Sequence, residues 1–131
     1  MADAELRSGI DREDTGAVWV GLEHGAMREL TNSEGFTPLL YFCSIGDYEA
    51  IEHLIHMRHA EYLGREKDGW DCLMFSAYHG DVDTVSLLLR LPHINALGSV
   101  PDARHIASDN RQYQAQAMLD DYMIDNDIDR M

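Results

Sequence analysis

The sequence predicts an all-α protein, a solenoid of stacked helix-turn-helix units joined by short hairpin turns. The first observation behind this prediction is an internal repeat, because residues 34–55 return thirty-four positions later. The second is turn and capping chemistry at the start of each predicted helix, and the third is an apolar stripe at helical spacing. Units of this kind cannot bury their apolar faces alone, so they stack. The matching positions are Gly35 and Gly69, Leu39 and Leu73, Gly46 and Gly80, Asp47 and Asp81, Leu54 and Leu88, and Ile55 and Leu89.

The best copy, residues 33–56, shows how one unit is specified by its own residues. Gly35 can adopt a positive φ without steric cost, which suits a tight turn. Thr37 is a good N-cap and Pro38 a good first helical residue, because proline has no N–H to leave unpaired there. Gly46 predicts the end of a first helix of about two turns. A second helix follows, and its apolar stripe is formed by Ile51, Leu54 and Ile55.

A period in the low thirties, with one turn and two helices in each copy, resembles the ankyrin-repeat family. The resemblance is specific in the second and third copies, and at both ends of the chain it is inferred by counting. It implies about four repeats within an ankyrin-repeat domain that spans residues 1–122. We expect residues 123–131 to be a disordered acidic tail. The approximate repeats are 1–32, 33–66, 67–98 and 99–122.

The two terminal copies diverge from the pattern, as terminal repeats of an array do. At the N-terminus, Glu23-His24-Gly25-Ala26 resembles the end of an ankyrin copy, so residues 17–22 are assigned to a second helix. The first helix of that copy is expected near residues 3–12. In the fourth copy, Pro101-Asp102 is expected to start a helix. A helical stripe follows it, formed by Ala115, Met118, Leu119 and Tyr122.

Composition limits the classes of partner. Hydrophobic residues make up 45% of the 131 residues, which is enough for a core, and the formal net charge is −14. A surface this acidic repels phosphate backbones and anionic lipid, so we expect neither nucleic acid nor membrane as a partner. A protein with a basic surface is the expected partner. We expect the chain to be complete and monomeric. We expect it in the cytoplasm or nucleus, because no run resembles a signal peptide and few cysteines indicate a reducing compartment.

The residues that could carry chemistry have simpler structural interpretations. Cys43 and Cys72 fall on neighbouring first helices and are interpreted as free buried thiols. The histidines His53, His56 and His59 are spaced by three, whereas helical metal ligands usually lie at i and i+4. We therefore expect no catalytic site, metal or cofactor. The alternative is a metal-dependent switch or an enzyme that uses the histidine cluster at residues 53–59.

The ankyrin resemblance implies a non-catalytic protein that binds another protein, as an adaptor or an inhibitor. Hairpin tips and the first helices of such repeats form a concave face that binds partners. Phe36 and Trp70 directly follow the turn glycines, so both are expected at hairpin tips, where they either contact a partner or pack on neighbouring hairpins. The residues expected to bind a partner are Glu34, Phe36, Ser44, Ile45, Asp68, Trp70, Tyr78, His79 and Asp109.

Overall fold

A computed structural model of the chain describes residues 2–12, 14–16, 18–19, 31–58 and 60–128. Within those ranges there are seven helices with defined bounds, further helical residues at 15, 16, 18 and 19, and no strand, which confirms the all-α prediction. The helices are α1 (Ala2–Asp11), α2 (Pro38–Ile45), α3 (Tyr48–Arg58), α4 (Cys72–His79), α5 (Val82–Leu89), α6 (Ser99–Asp109) and α7 (Tyr113–Asp125).

The helices form two layers. In the inner layer α1 packs on α2, α2 on α4, and α4 on α6, whereas in the outer layer α3 packs on α5 and α5 on α7. The inner helices α2, α4 and α6 each also contact the outer helix that follows in sequence. The repeat unit is therefore an antiparallel helix pair, and successive pairs stack along one axis, as the sequence repeat predicts.

Local capping chemistry sets the ends of the inner helices. The Thr37 hydroxyl accepts a hydrogen bond from the Leu40 N–H at 3.2 Å, and Pro38 is the first residue of α2. In the next repeat the Asp71 carboxylate accepts from the Met74 N–H at 3.0 Å. Both helices end at a left-handed glycine, with φ of 74° and 69° at the two sites. These caps confirm the predicted helix boundaries.

Two equivalent hairpin turns precede α2 and α4. In the first, the Gly35 N–H donates to the Asn32 carbonyl, and in the second the Gly69 N–H donates to the Glu66 carbonyl. The two glycines have φ of 82° and 88°, which is unfavourable for other residues. A Cβ on Gly35 would lie 3.0 Å from the Lys67 backbone nitrogen, so this glycine also lets adjacent hairpins approach. The turns are therefore part of the stacking interface.

The core lies between the two layers and runs the length of the array. Leu88, which matches Leu54 of the predicted apolar stripe one repeat earlier, is 0% exposed. The stripe predicted for α7 is present, with Ala115 and Leu119 buried and Met118 and Tyr122 partly buried. The other large side chains with under 2% exposure are Val18, Leu39, Phe42, Ile51, Leu54, Leu73, Val85, Val100 and Met123.

The ends of the array agree with the sequence interpretation in part. Helix α1 matches the first helix expected near residues 3–12, and α6 starts two residues before Pro101. The second helix expected at residues 17–22 and the family-like segment at 23–26 lie largely outside the described residues. The acidic tail does not start at residue 123 as expected, because α7 continues to Asp125. Met123 is 1% exposed, since it extends the apolar stripe four residues beyond Leu119.

The interpretation of the cysteines as free thiols is wrong. Cys43 in α2 and Cys72 in α4 form a disulfide, and both residues are 0% exposed. Stacking of the two inner helices brings their Cα atoms to 5.3 Å, within the range that a disulfide requires. The predicted positions on neighbouring first helices are correct. Helical periodicity places each cysteine on a face of its own helix, but it does not give the distance between two stacked helices.

Candidate functional site: a groove across the hairpin tips

A groove of about 440 Å³ opens where the hairpin tips of the second and third repeats meet helices α2 and α4. The two turns supply one wall, and the C-terminal halves of the inner helices supply the other. Its side chains therefore come from two repeats, and they meet only because those repeats stack. The lining residues are Glu34, Phe36, Ser44, Glu66, Asp68, Trp70, Phe75, Tyr78 and His79.

The apolar part of the groove is a cluster of aromatic rings centred on Phe75. The ring of Phe36 lies 5.8 Å from Phe75 and the ring of Trp70 lies 5.2 Å from it, between centroids. Tyr78 meets Trp70 edge-on at 5.8 Å and is 45% exposed. Phe36 and Trp70 are both partly exposed. The two rings thus pack against Phe75 in α4 and still present surface to the groove.

Three carboxylates surround these rings. Glu34 and Asp68 are exposed, whereas Glu66 is 8% exposed and its Oε1 accepts a hydrogen bond from the Trp70 backbone N–H at 2.8 Å. Lys67 forms an ion pair with Glu34, with Nζ 2.7 Å from Oε2. The mixture of aromatic faces and carboxylates makes the groove attractive to cations and apolar groups together.

The far wall of the groove is tied across repeats by polar contacts. Nε2 of His79 lies 2.6 Å from the carbonyl oxygen of Ser44, which joins the end of α4 to α2. The Gln112 side-chain amide donates to the Tyr78 carbonyl at 3.1 Å, which joins α4 to the fourth repeat. These bonds hold the groove-forming ends of the inner helices in a fixed relation.

Smaller depressions continue the groove along the array on both sides. Phe36 borders a depression of about 210 Å³ toward α1, which also includes Ile10 and Tyr41. Trp70 borders one of about 380 Å³ toward α6, which includes Met74 and Asp102. The rings that separate these depressions from the central groove are Phe36 and Trp70, which directly follow the turn glycines. The hairpin edge is therefore a series of depressions separated by one aromatic ring per repeat.

Seven of the nine residues predicted to bind a partner line the central groove. Ile45 is 44% exposed at the end of α2, and Asp109 is exposed at the end of α6, but neither is among the lining residues. Sequence reasoning missed Glu66 and Phe75. Signals for both existed, because Glu66 lies one period after Asn32 and Phe75 lies three residues before Tyr78 on the same helical face.

A buried polar cluster stands behind Trp70 and supports the turn. Asp71 is 3% exposed, and besides capping α4 it accepts a hydrogen bond from the Ser99 hydroxyl of the fourth repeat. Arg65 lies 3.9 Å from the Asp71 carboxylate and donates to the Leu97 carbonyl at 2.8 Å. Burial raises the pKa of Asp71 above its ordinary value, although the cap and Arg65 oppose this shift.

Of the three histidines at residues 53–59, only His53 is seen to pack against another ring in the part of the chain that the structure describes. The His53 ring meets Trp19 edge-on with centroids 5.6 Å apart, and His56 is exposed. His59 lies outside the described residues. Across the part of the chain that the structure describes, no group of three or more histidine, cysteine, aspartate or glutamate side chains is arranged to hold a metal ion.

Comparison with known proteins agrees with this architecture. A family model described as ankyrin repeats in three copies matches residues 13–98. No curated protein is similar enough in sequence to indicate a closer relative. None of the helices in the described ranges is both long and apolar enough to cross a membrane. Ankyrin repeats generally mediate protein–protein interaction, and the family is typically non-catalytic. From its repeat period, its stacked helix pairs and this match, the chain belongs to the ankyrin-repeat family.

Proposed function

We propose that this chain is a non-catalytic binding protein that holds a basic surface of another protein against its hairpin tips and concave face. It acts by occupying that surface, as an adaptor or as an inhibitor. The observation that carries the proposal is the central groove, where four aromatic rings from two repeats share one opening with three carboxylates. Partly exposed aromatic side chains of this kind dominate the affinity of protein interfaces.

The charge of the chain supports a basic partner. The formal net charge is −14, so a basic protein is attracted over long range while nucleic acid and anionic lipid are repelled. The acidic residues on the groove rim then mainly increase the association rate, and the buried rings slow dissociation. We propose a monomer that meets its partner with this edge of the array.

The proposed location is the cytoplasm or the nucleus, where ankyrin-repeat proteins occur. The Cys43–Cys72 disulfide is the observation against this location, because disulfides are rare in those compartments. Alkylation of the protein in its source cell, followed by mass spectrometry under non-reducing conditions, measures the redox state directly. A fully oxidised pair in the cell would exclude the cytoplasm and nucleus.

The test of the binding face combines photo-crosslinking with surface plasmon resonance. A photo-crosslinking phenylalanine analogue in place of Tyr78 captures the partner in the source cell, and the purified partner is then bound to each variant. Trp70→Ala is expected to weaken binding by more than ~1 kcal/mol with the fold intact. Glu34→Lys combined with Asp68→Lys is expected to slow association, with an effect that shrinks as salt rises.

The matched control is Met57→Ala on outer helix α3, because Met57 is 70% exposed and lies outside the groove lining. It is expected to bind like the wild type. If Trp70→Ala also binds like the wild type, the hairpin edge is not the binding face. If Met57→Ala weakens binding instead, the partner occupies the outer helices and the proposal is wrong.

A further inference from the structure

We propose that the central groove is an arginine site, which takes the guanidinium group of a basic, extended segment of the partner. This inference rests on the proposed function and names the chemistry of the group that enters. It follows from the kinds of side chain around the groove and from their arrangement. Glu34 is already paired with Lys67, but a wholly apolar anchor would bring no cation to Glu66 and Asp68, and an anion would be repelled by them.

The aromatic rings supply the first requirement, which is a set of faces at cation–π distance. Phe36, Phe75, Trp70 and Tyr78 form a chain of rings with successive centroids 5.8, 5.2 and 5.8 Å apart. The planes are tilted or edge-on to one another, at 36°, 48° and 67°, so the rings do not cover one another's faces completely. A cation within about 6 Å of a ring centroid is attracted to that face, most strongly by tryptophan.

The carboxylates supply the second requirement, which is a fixed negative charge beside those faces. The Glu66 carboxylate accepts a hydrogen bond from the Trp70 backbone N–H, which holds its charge at the turn that carries Trp70. Asp68 is exposed on the same turn and lines both the central groove and the depression on the far side of Trp70. A cation stacked on Trp70 therefore has carboxylates beside it at the turn.

Arginine fits these requirements better than lysine. Its guanidinium group is planar and weakly hydrated, so it stacks on an aromatic face while its edge donates to a carboxylate. A lysine ammonium is more strongly hydrated and would lose more hydration on entering a groove lined by rings. The groove volume of about 440 Å³ also exceeds one side chain, which leaves room for flanking peptide backbone.

The probes are three capped amino acids: N-acetyl-arginine methylamide and its lysine and citrulline equivalents. Citrulline has nearly the shape of arginine but no charge. Each is titrated into the ¹⁵N-labelled full chain, and the Trp70 indole N–H and the Tyr78 and His79 amides are followed by NMR. The arginine probe is expected to shift these signals at millimolar concentration. The lysine probe is expected to bind at least about threefold more weakly, and the citrulline probe about tenfold more weakly.

Variants locate the binding determinants. Asp68→Asn and Phe36→Leu are each expected to weaken the arginine probe about threefold or more. Asp125→Asn is the matched control, because it removes the same charge from an exposed residue at the end of α7, outside the groove lining, and its affinity is expected to equal that of the wild type. Equal weakening by Asp125→Asn would show a general attraction to the acidic surface and would overturn the proposal.

Two further results would overturn it. If citrulline binds as well as arginine, the groove selects shape and not charge. If lysine binds as well as or better than arginine, the site is not specific for a guanidinium group. Failure of the proposed function is recognisable separately, because the arginine probe would then shift the groove signals while Trp70→Ala left binding of the captured partner unchanged. If instead the arginine probe shifts no groove signal while Trp70→Ala weakens binding of the captured partner, the arginine site is overturned and the binding face is retained.

Discussion

Lys67 Nζ lies 2.7 Å from Glu34 Oε2, so an ion pair joins the tips of two successive hairpins. The backbone N–H of Lys67 also donates a hydrogen bond to the backbone carbonyl of Glu34 at 3.0 Å, which fixes the two turns side by side. Hydrogen bonding to Glu34 raises the pKa of Lys67, which is charged at neutral pH even at its ordinary value. This cation is paired with a carboxylate that lines the groove, and it opposes the approach of a basic partner.

Replacing Lys67 with glutamine is therefore expected to strengthen binding. Lys67→Gln frees the Glu34 carboxylate and removes the positive charge paired with it, so association with the captured partner should become faster, most clearly at low salt. The measurement is the association rate constant by surface plasmon resonance. Arg90→Gln is the control, because it removes the same charge from an exposed residue after α5. An equal rate increase in both variants would show an effect of net charge alone.

Leu88 should be among the most costly residues to truncate. It is 0% exposed in α5, within the core between the third and fourth repeats. Leu88→Ala is expected to lower the free energy of unfolding by ~2–5 kcal/mol, as large-to-small core changes do. Urea denaturation followed by circular dichroism measures this change. Ile124→Ala is the control, since Ile124 is 61% exposed and should change stability by less than ~0.5 kcal/mol. A cost under ~1 kcal/mol for Leu88→Ala would contradict the packing.

Reduction of the Cys43–Cys72 disulfide should lower stability without changing the fold. The bond joins residues twenty-nine apart in sequence, and closing such a loop stabilises a protein by ~2–4 kcal/mol, largely through the unfolded state. The free energy of unfolding is measured with and without dithiothreitol. Before each measurement the buried cysteines are exposed to the solvent and the free thiols are counted. The variant with both Cys43→Ala and Cys72→Ala is the control and should not respond to the reductant. Identical wild-type curves in both conditions would mean that the disulfide is not formed.

The raised pKa of Asp71 predicts a specific pH dependence. Burial favours its protonated form in the folded chain, so its contribution to stability is greatest below the unfolded pKa and declines as pH rises through the folded pKa. Asp71→Asn keeps an N-cap side chain and removes the titrating group. Compared with the wild type, the variant should therefore gain stability as pH rises from strongly acidic toward neutral.

Measuring this effect requires a difference between curves, because many other carboxylates of the chain titrate in the same range. Urea denaturation at a series of pH values is compared for the wild type, Asp71→Asn and Asp125→Asn, an exposed aspartate at the end of α7. Asp125→Asn should follow the wild type. A constant difference between Asp71→Asn and the wild type at all pH values would show that Arg65 and the cap fully offset burial.

Most of the helix boundaries could be predicted, because they depend on residues within about four positions of each other. Thr37, Asp71 and Gly46 act on backbone groups of their own helix ends, so their types are enough to place α2 and α4. The repeat period extends this information along the chain, since a second copy with the same signals must fold in the same way. The positions of Phe36 and Trp70 at the hairpin tips could be predicted in the same way, because each directly follows a turn glycine.

The tertiary structure decided what depends on the fit between one repeat and the next. The contact of Phe75 with both Phe36 and Trp70, the 5.3 Å between the Cα atoms of the two cysteines and the burial of Met123 are examples. Each depends on the rotation and separation of stacked helices, and a helical stripe in sequence specifies only which face is apolar. The amino-acid sequence by itself therefore determined the units and their order. Packing between those units decided which side chains share a groove, which thiols form a bond and which carboxylate is desolvated.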